Sequence, residues 1–256
     1  MTKFNKLFFD RCVGLGDAFV MSPIVHHYAR MCKKLYYPAR GEYFETLKCL
    51  YQDYPNIEVW RFYSNDQEDV FLTANPDIIH LKSLPLITQE IDRKGCELEQ
   101  IQIHWQQQLY ENWDIPYKMR YLDFHMPKTI TGSDELYTWL TEGVDDYILV
   151  HRYASDHPEG IAIDVPTYRA ARGLEPKKII EVRPGQAENM LQYKKLIENA
   201  SEIHCVASSF FNLVDSMIFD VKGVPIFHDI RRNSLMKVNS RWNGYKWQVV
   251  TYGIRV

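Results

Sequence analysis

Residues 6–34 read KLFFDRCVGLGDAFVMSPIVHHYARMCKK. An apolar run over 6–13 has strand character and stops at the turn Gly14-Leu15-Gly16-Asp17. A helix-period segment follows, with Val20, Ile24, Tyr28 and Met31 spaced for one face. Strand, glycine turn and helix make the opening unit of a parallel α/β sheet. Two starts are open for the helix: Asp17 as its cap, or Ser22 as its cap with Pro23 in the favoured first position.

Outward from there the alternation continues. LYYP at 35–38, IEVWRFY at 57–63 and DIIHL at 77–81 read as strands, with a helix over 42–54. Such an order predicts right-handed crossovers and a parallel sheet. The middle differs. Residues 98–113 read as a polar, aromatic helix, and 114–135 are rich in turn and breaker residues, which marks a domain crossover. The pattern then restarts, with strands at 145–154, 177–185, 202–207 and 224–232 and helices at 188–200 and 208–220. The expected fold is therefore α/β: two Rossmann-like α/β domains, 1–125 and 126–256, facing each other across a cleft. The aromatic and basic segment 239–256 either packs back on the first half or forms an interface.

Composition narrows the function. The chain has 256 residues, 46 % of them apolar, which suffices for a real core. Its 17 Tyr and 6 Trp suit half-wet faces or, equally, a Tyr-rich core. A net charge of −3 without a polybasic run argues against nucleic acid as a partner. Five scattered cysteines, with no CxxC pair, argue against a disulfide framework or a zinc site and fit a reducing compartment. The start of the chain is too charged for a signal peptide and no run reaches the length of a membrane span, so a cytoplasmic location is expected.

Several motifs are absent. GLGDAF departs from GxGxxG at Phe19, and there is no P-loop, no GxSxG elbow and no DxD metal clamp. His26 and His27 are adjacent on a helix, about 100° apart, and cannot share a metal; packing roles are commoner for such residues.

Four places carry candidate chemistry. Gly14, Gly16 and Asp17 stand where the first strand ends, and in open α/β sheets ligands bind at the carboxyl ends of strands. Asp17 there is either a base for a hydroxyl or merely a helix cap. Ser208 and Ser209 lie where the strand 202–207 runs into a helix, whose free N–H groups suit a phosphate; an ordinary serine cap is the commoner use. His151-Arg152 and Arg183 end strands of the second half, where a fixed cation balances a diphosphate or else forms a surface ion pair. Glu188 and Asn189, opening a helix, reach a sugar or ribose or serve as a capping pair.

The stretches VGLGDAFVMSPIVHHYAR (13–30), WQQQLYENWDIPYKMRYLDF (105–124) and ENMLQYKKLIENASEIHCVASSFFNLVDSM (188–217) cover roughly a third of the chain. In that order they resemble the two-Rossmann-domain glycosyltransferases called GT-B, most of all their heptosyltransferase-like branch. The resemblance implies a nucleotide-sugar donor held mainly by the C-terminal half, a glycan or other hydroxyl acceptor on the N-terminal half, and neither metal nor cofactor. It implies Asp17 as general base of an inverting transfer, with Ser208 and Ser209 near the donor phosphates. Arg152 or Arg183 would supply cationic balance. Ala207 departs from the pattern, because the branch usually has an acidic residue just before the serine or threonine. A nucleotide-sugar epimerase and a non-catalytic nucleotide-sugar-binding protein are the alternatives.

Overall fold

The computed structural model describes residues 3–9, 14–82, 106–230 and 246–252. The chain divides into two compact units, Met1–Thr129 and Ile130–Val256. Each is built on its own parallel sheet.

Unit 1 contains β1 (Phe4–Phe9), α1 (Leu15–Ala29), β2 (Cys32–Arg40), α2 (Phe44–Leu50), β3 (Ile57–Phe62), α3 (Asn65–Ala74), β4 (Ile79–Leu81) and the single turn α4 (Met119–Leu122). The strand order is β3-β2-β1-β4, all parallel. β1 carries Leu7, Phe8 and Phe9 with no exposed surface, as expected of a strand covered on both faces.

Helix α1 starts at neither expected cap. Gly14 is the N-cap, and Asp17, at the third helical position, accepts the Gly14 N–H through Oδ2 at 3.1 Å. Ser22 and Pro23 lie inside the helix and Met31 falls in the turn after it. The helix is buried on nearly every side rather than along one stripe. The sheet covers one side, and the segment 106–122 packs on the helix as well: the Tyr110 hydroxyl donates to Val20 O at 2.6 Å. A helix apolar all round requires such double cover. His26 is fully buried and stacks flat on Tyr54, ring centroids 4.2 Å apart. Its Nδ1 bonds Asp123 O (3.3 Å) and its Nε2 faces Ser22 Oγ (3.4 Å), which is a packing role. Tyr37, Tyr51 and Tyr110 are likewise core residues.

Unit 2 contains α5 (Ser133–Thr141), β5 (Tyr147–His151), α6 (Val165–Ala170), β6 (Lys178–Glu181), a 3-10 turn Met190–Tyr193, α7 (Lys194–Asn199), β7 (Glu202–Cys205), α8 (Ser209–Ser216), β8 (Val224–Asp229) and β9 (Gln248–Thr251). The order is β6-β5-β7-β8-β9, again all parallel. α6 covers one face, where Val165 packs on Ile148 and Val150. α8 covers the other through Phe211, against Phe227 and Trp247 at 4.8 and 4.9 Å.

Several strands and helices are shorter than the sequence predicts, and α3, α4, α5 and α6 are additions to it. The predicted strand ends at 10–13 and 231–232, the first part of the predicted helix 98–113, and all of 239–256 outside 246–252 lie outside the described residues. β9 shows where part of that last segment goes: it adds to β8 of its own unit. Among the described residues no helix is long and apolar enough to cross a membrane.

Candidate functional site

In an open parallel sheet the crevice forms at the carboxyl ends of two neighbouring strands whose crossovers leave toward opposite faces. Strand order locates one such point in each unit: between β1 and β4, and between β5 and β7.

At the first point stand Gly14, Gly16 and Asp17 on the opening turn of α1. Gly14 has an extended backbone, and Gly16 is buried within the helix. Asp17 is half-buried. Burial raises its carboxyl pKa, and the Gly14 N–H works in the opposite direction without cancelling the rise. Asp17 thus performs the capping task and still has an oxygen, Oδ1, beyond the one that serves the cap.

At the second point β5 ends in His151-Arg152-Tyr153 and β7 runs through Val206 and Ala207 to Ser208. The two ends are tied by the pairing of His151 with Cys205 and by Val206 N–H to His151 O at 3.3 Å. Ser208 is the N-cap of α8: its Oγ accepts the Phe211 N–H at 3.2 Å and donates to Val206 O at 3.1 Å. His151 Nδ1, 3.3 Å from the same oxygen, completes the surroundings of the hydroxyl. Ser209 opens the helix, half-buried.

Arg152 and Arg183 are brought together by a residue the sequence reading passed over. Glu181, the last residue of β6, takes Arg152 Nε on Oε1 and Arg183 on Oε2, with Nε at 2.9 Å and Nη2 at 2.7 Å. The Tyr153 hydroxyl adds a third donor at 2.9 Å. Burial works upward on the Glu181 carboxyl, but the donors from Arg152, Arg183 and Tyr153 outweigh it and hold the pKa at about 2. The group carries two positive charges and one negative, a net of +1 beside the strand ends. The loop after β5 folds over it. Gly160 has φ +88°, and a Cβ there would come within 3.1 Å of the Tyr153 ring and 3.3 Å of Arg152 Cγ.

Glu188 and Asn189 form a capping turn. The Asn189 Oδ1 accepts the Leu191 N–H at 3.0 Å, and the Glu188 N–H goes to Gln192 Oε1 at 2.9 Å. No model of a known protein family, no characterised protein and no solved structure matches this chain.

A second polar cluster lies on the α6 face of the sheet and was not foreseen. His204 Nδ1 bonds His228 Nε2 (2.8 Å), His204 Nε2 bonds Glu202 Oε2 (3.1 Å), and His228 Nδ1 meets the Tyr252 hydroxyl (2.6 Å). Arg169 pairs with the other oxygen of Glu202. With Glu202 charged and both imidazoles neutral, only one proton arrangement satisfies every link. Tyr252 donates to His228, His228 to His204, and His204 to the carboxylate. Burial lowers the pKa of both imidazoles, with His204 adding to the effect on His228, which lies at about 3. Alternate positions on β7, Glu202 and His204, were the available signal, since they share one strand face. Among the described residues no group of three metal-ligating side chains converges.

Proposed function

We propose that this protein transfers a sugar from a nucleotide-sugar donor to a hydroxyl acceptor. The observation that carries the reading is the β5–β7 switch point. The N-terminus of α8 opens there beside the Arg152–Glu181–Arg183 group, and free N–H groups with a net positive cluster suit a diphosphate.

On this reading Asp17 takes the proton of the acceptor hydroxyl. The acceptor oxygen attacks the anomeric carbon, the bond from that carbon to the diphosphate breaks, and the electron pair leaves on the diphosphate with inversion. Burial favours the role of Asp17, because a carboxylate with a raised pKa is a stronger base near neutral pH. Arg152, Arg183, Ser209 and the α8 N–H groups balance the departing charge.

The test is thermal stabilisation by UDP, GDP, ADP, CMP and their sugar conjugates, without added metal. A ligand at about 100 times its dissociation constant adds ~2.7 kcal/mol, a readable shift. Asp17→Asn then lowers turnover by on the order of 10²–10⁴-fold and leaves nucleotide affinity unchanged. A folded protein that responds to none of these nucleotides is not a nucleotide-sugar enzyme.

One observation favours a second reading, a binding protein without turnover. The Ser208 hydroxyl is saturated and Glu181 already holds both arginines, so a donor must displace internal contacts. Nucleotide binding with no sugar transfer to any acceptor supports that reading. Sugar conversion without acceptor supports an epimerase.

A further inference from the structure

One polar side chain at the β5–β7 switch point has no task in the mechanism above. His151 ends β5, is 8 % exposed, and lies flat on Phe210 of the first turn of α8, centroids 4.7 Å apart and planes 15° apart. Its Nδ1 is 3.3 Å from Ser208 Oγ. That hydroxyl spends its own proton on Val206 O, so the bond requires the proton on Nδ1. Nε2 is then a bare acceptor, and it has no partner among the described residues. An imidazole nitrogen open in this way on an otherwise buried ring can accept a hydrogen bond from outside the chain.

The neighbouring backbone has the complementary lack. Phe211 N–H is capped by Ser208 Oγ and Asn212 N–H bonds Ser208 O, which leaves the N–H groups of Ser209 and Phe210 without partners in the helix. Free donors thus stand on the helical turn whose Ser208 and Phe210 hold the mostly buried His151 ring with its open acceptor. The charged and titratable groups around His151 are Glu181, which favours a proton on it, Arg152, Arg183 and Tyr153 in the same cluster, and Tyr193 beyond the Phe210 ring.

We propose that His151 contacts the ligand directly: a phosphate- or sulfate-type oxyanion docks on the first turn of α8 and shares a proton with His151 Nε2. The inference rests on the reading of unit 2 as the donor side and names its ligand-contacting residue. The proton balance is simple. The resting imidazole is neutral, since burial holds its pKa at about 4. Docking brings one proton from solvent onto Nε2, and no covalent bond of the ligand changes. The anion favours imidazolium over imidazole and so works against the burial. In sugar transfer the same imidazolium stands beside the departing diphosphate, where a charge-assisted hydrogen bond gains strength as charge develops.

Sulfate is the first probe, because it does not titrate in this range and any proton taken up belongs to the protein. The measurement is ring-nitrogen NMR of the full chain, with the His151 signals assigned by their loss in His151→Gln. Sulfate is expected to move them from the Nδ1–H pattern to the imidazolium pattern. The bound-state pKa exceeds the free one, so affinity is full at low pH and is lost as pH rises through the bound-state value. The loss approaches about tenfold per pH unit, the limit for one linked proton. His151→Gln abolishes this dependence. Sulfate binding that leaves His151 neutral and is flat with pH overturns the inference, as does no sulfate binding at all. Competition separates the two readings. Sulfate-linked protonation that no nucleoside diphosphate displaces keeps the oxyanion site and removes the nucleotide. Nucleotide binding that leaves His151 unmoved removes this inference and keeps the nucleotide.

Discussion

Glu181 sets what the two arginines of unit 2 can do for a ligand. Both guanidinium groups rest on its carboxylate, and an incoming diphosphate competes with it for the same N–H donors. Removing the charge while keeping the shape tests this. Glu181→Gln is expected to tighten oxyanion binding by about threefold. Weaker binding, read by calorimetric titration, means that Glu181 positions the arginines rather than competing for them. Ser208→Ala asks the opposite question. Losing a helix cap costs about 1 kcal/mol in urea unfolding, and here it also strands the Nδ1–H of His151. Arg152, Arg183 and Ser208 were legible in the sequence because they follow strands directly. Glu181 was legible in principle too. It stands two residues before Arg183, and alternate residues of an extended chain share a side. The acid-to-arginine pairing was missed because Arg152 comes from a different strand, which only the sheet order brings alongside.

At the level of elements, continuous apolar runs such as Leu7–Phe9 and Ile148–Val150 announced their strands, since strands covered on both faces need them. Elements held by little apolar surface did not announce themselves. α3 reads NDQEDVFLTA, mostly polar, and α6 is six residues long, started by the Asp164 cap on Thr167 N–H at 3.0 Å. The start of α1 was misjudged for a local reason: the Asp17 side chain bonds back to Gly14 N–H, so the cap lies three residues earlier. Connections between elements were the least legible. The turn before β8 passes so close to the end of α7 that a Cβ on Gly223 would sit 2.2 Å from Ala200 O and 2.5 Å from the Ser201 carbonyl carbon. Both are backbone atoms and cannot swing away. Gly143 is the contrast: its φ is +81° and nothing lies within 4 Å. Gly143→Ala is expected to cost about 1–2 kcal/mol for the left-handed backbone alone. Gly223→Ala, with an unremarkable φ, should reach or exceed the ~1–3 kcal/mol of an overpacked core. Urea unfolding of the two variants checks the order, and a Gly223→Ala protein no less stable than Gly143→Ala contradicts the close approach.

Over the whole molecule, each unit carries its own core, and the two differ in what acid does to them. Unit 2 buries His151, His204 and His228 as neutral rings, whereas unit 1 has one such histidine, His26, among the described residues. Burial is the first cause in all four, and it holds His26 and His151 at about 4 and His228 at about 3. In the unfolded chain the same rings titrate near 6.5. Below about pH 6.5 the unfolded state therefore binds protons that the folded state refuses, so stability falls with pH until the folded values are reached. By pH 5.5 His26 in unit 1 and His151 and His228 in unit 2 have each cost about 1 kcal/mol, with His204 acting in the same direction. Asp17 runs the other way. Its folded pKa is raised, so unit 1 gains relative stability as pH falls toward the carboxylate range. Unit 2 is thus expected to be the acid-sensitive half. Calorimetry between pH 7.5 and 5.5, in buffer free of sulfate and phosphate, should show the unit 2 transition falling by on the order of 10 °C and the unit 1 transition by less. Brief proteolysis at pH 5.5 should place the first cuts within 130–256. First cuts in unit 1, or equal shifts of both transitions, would mean that the buried histidines of unit 2 take up protons without unfolding it.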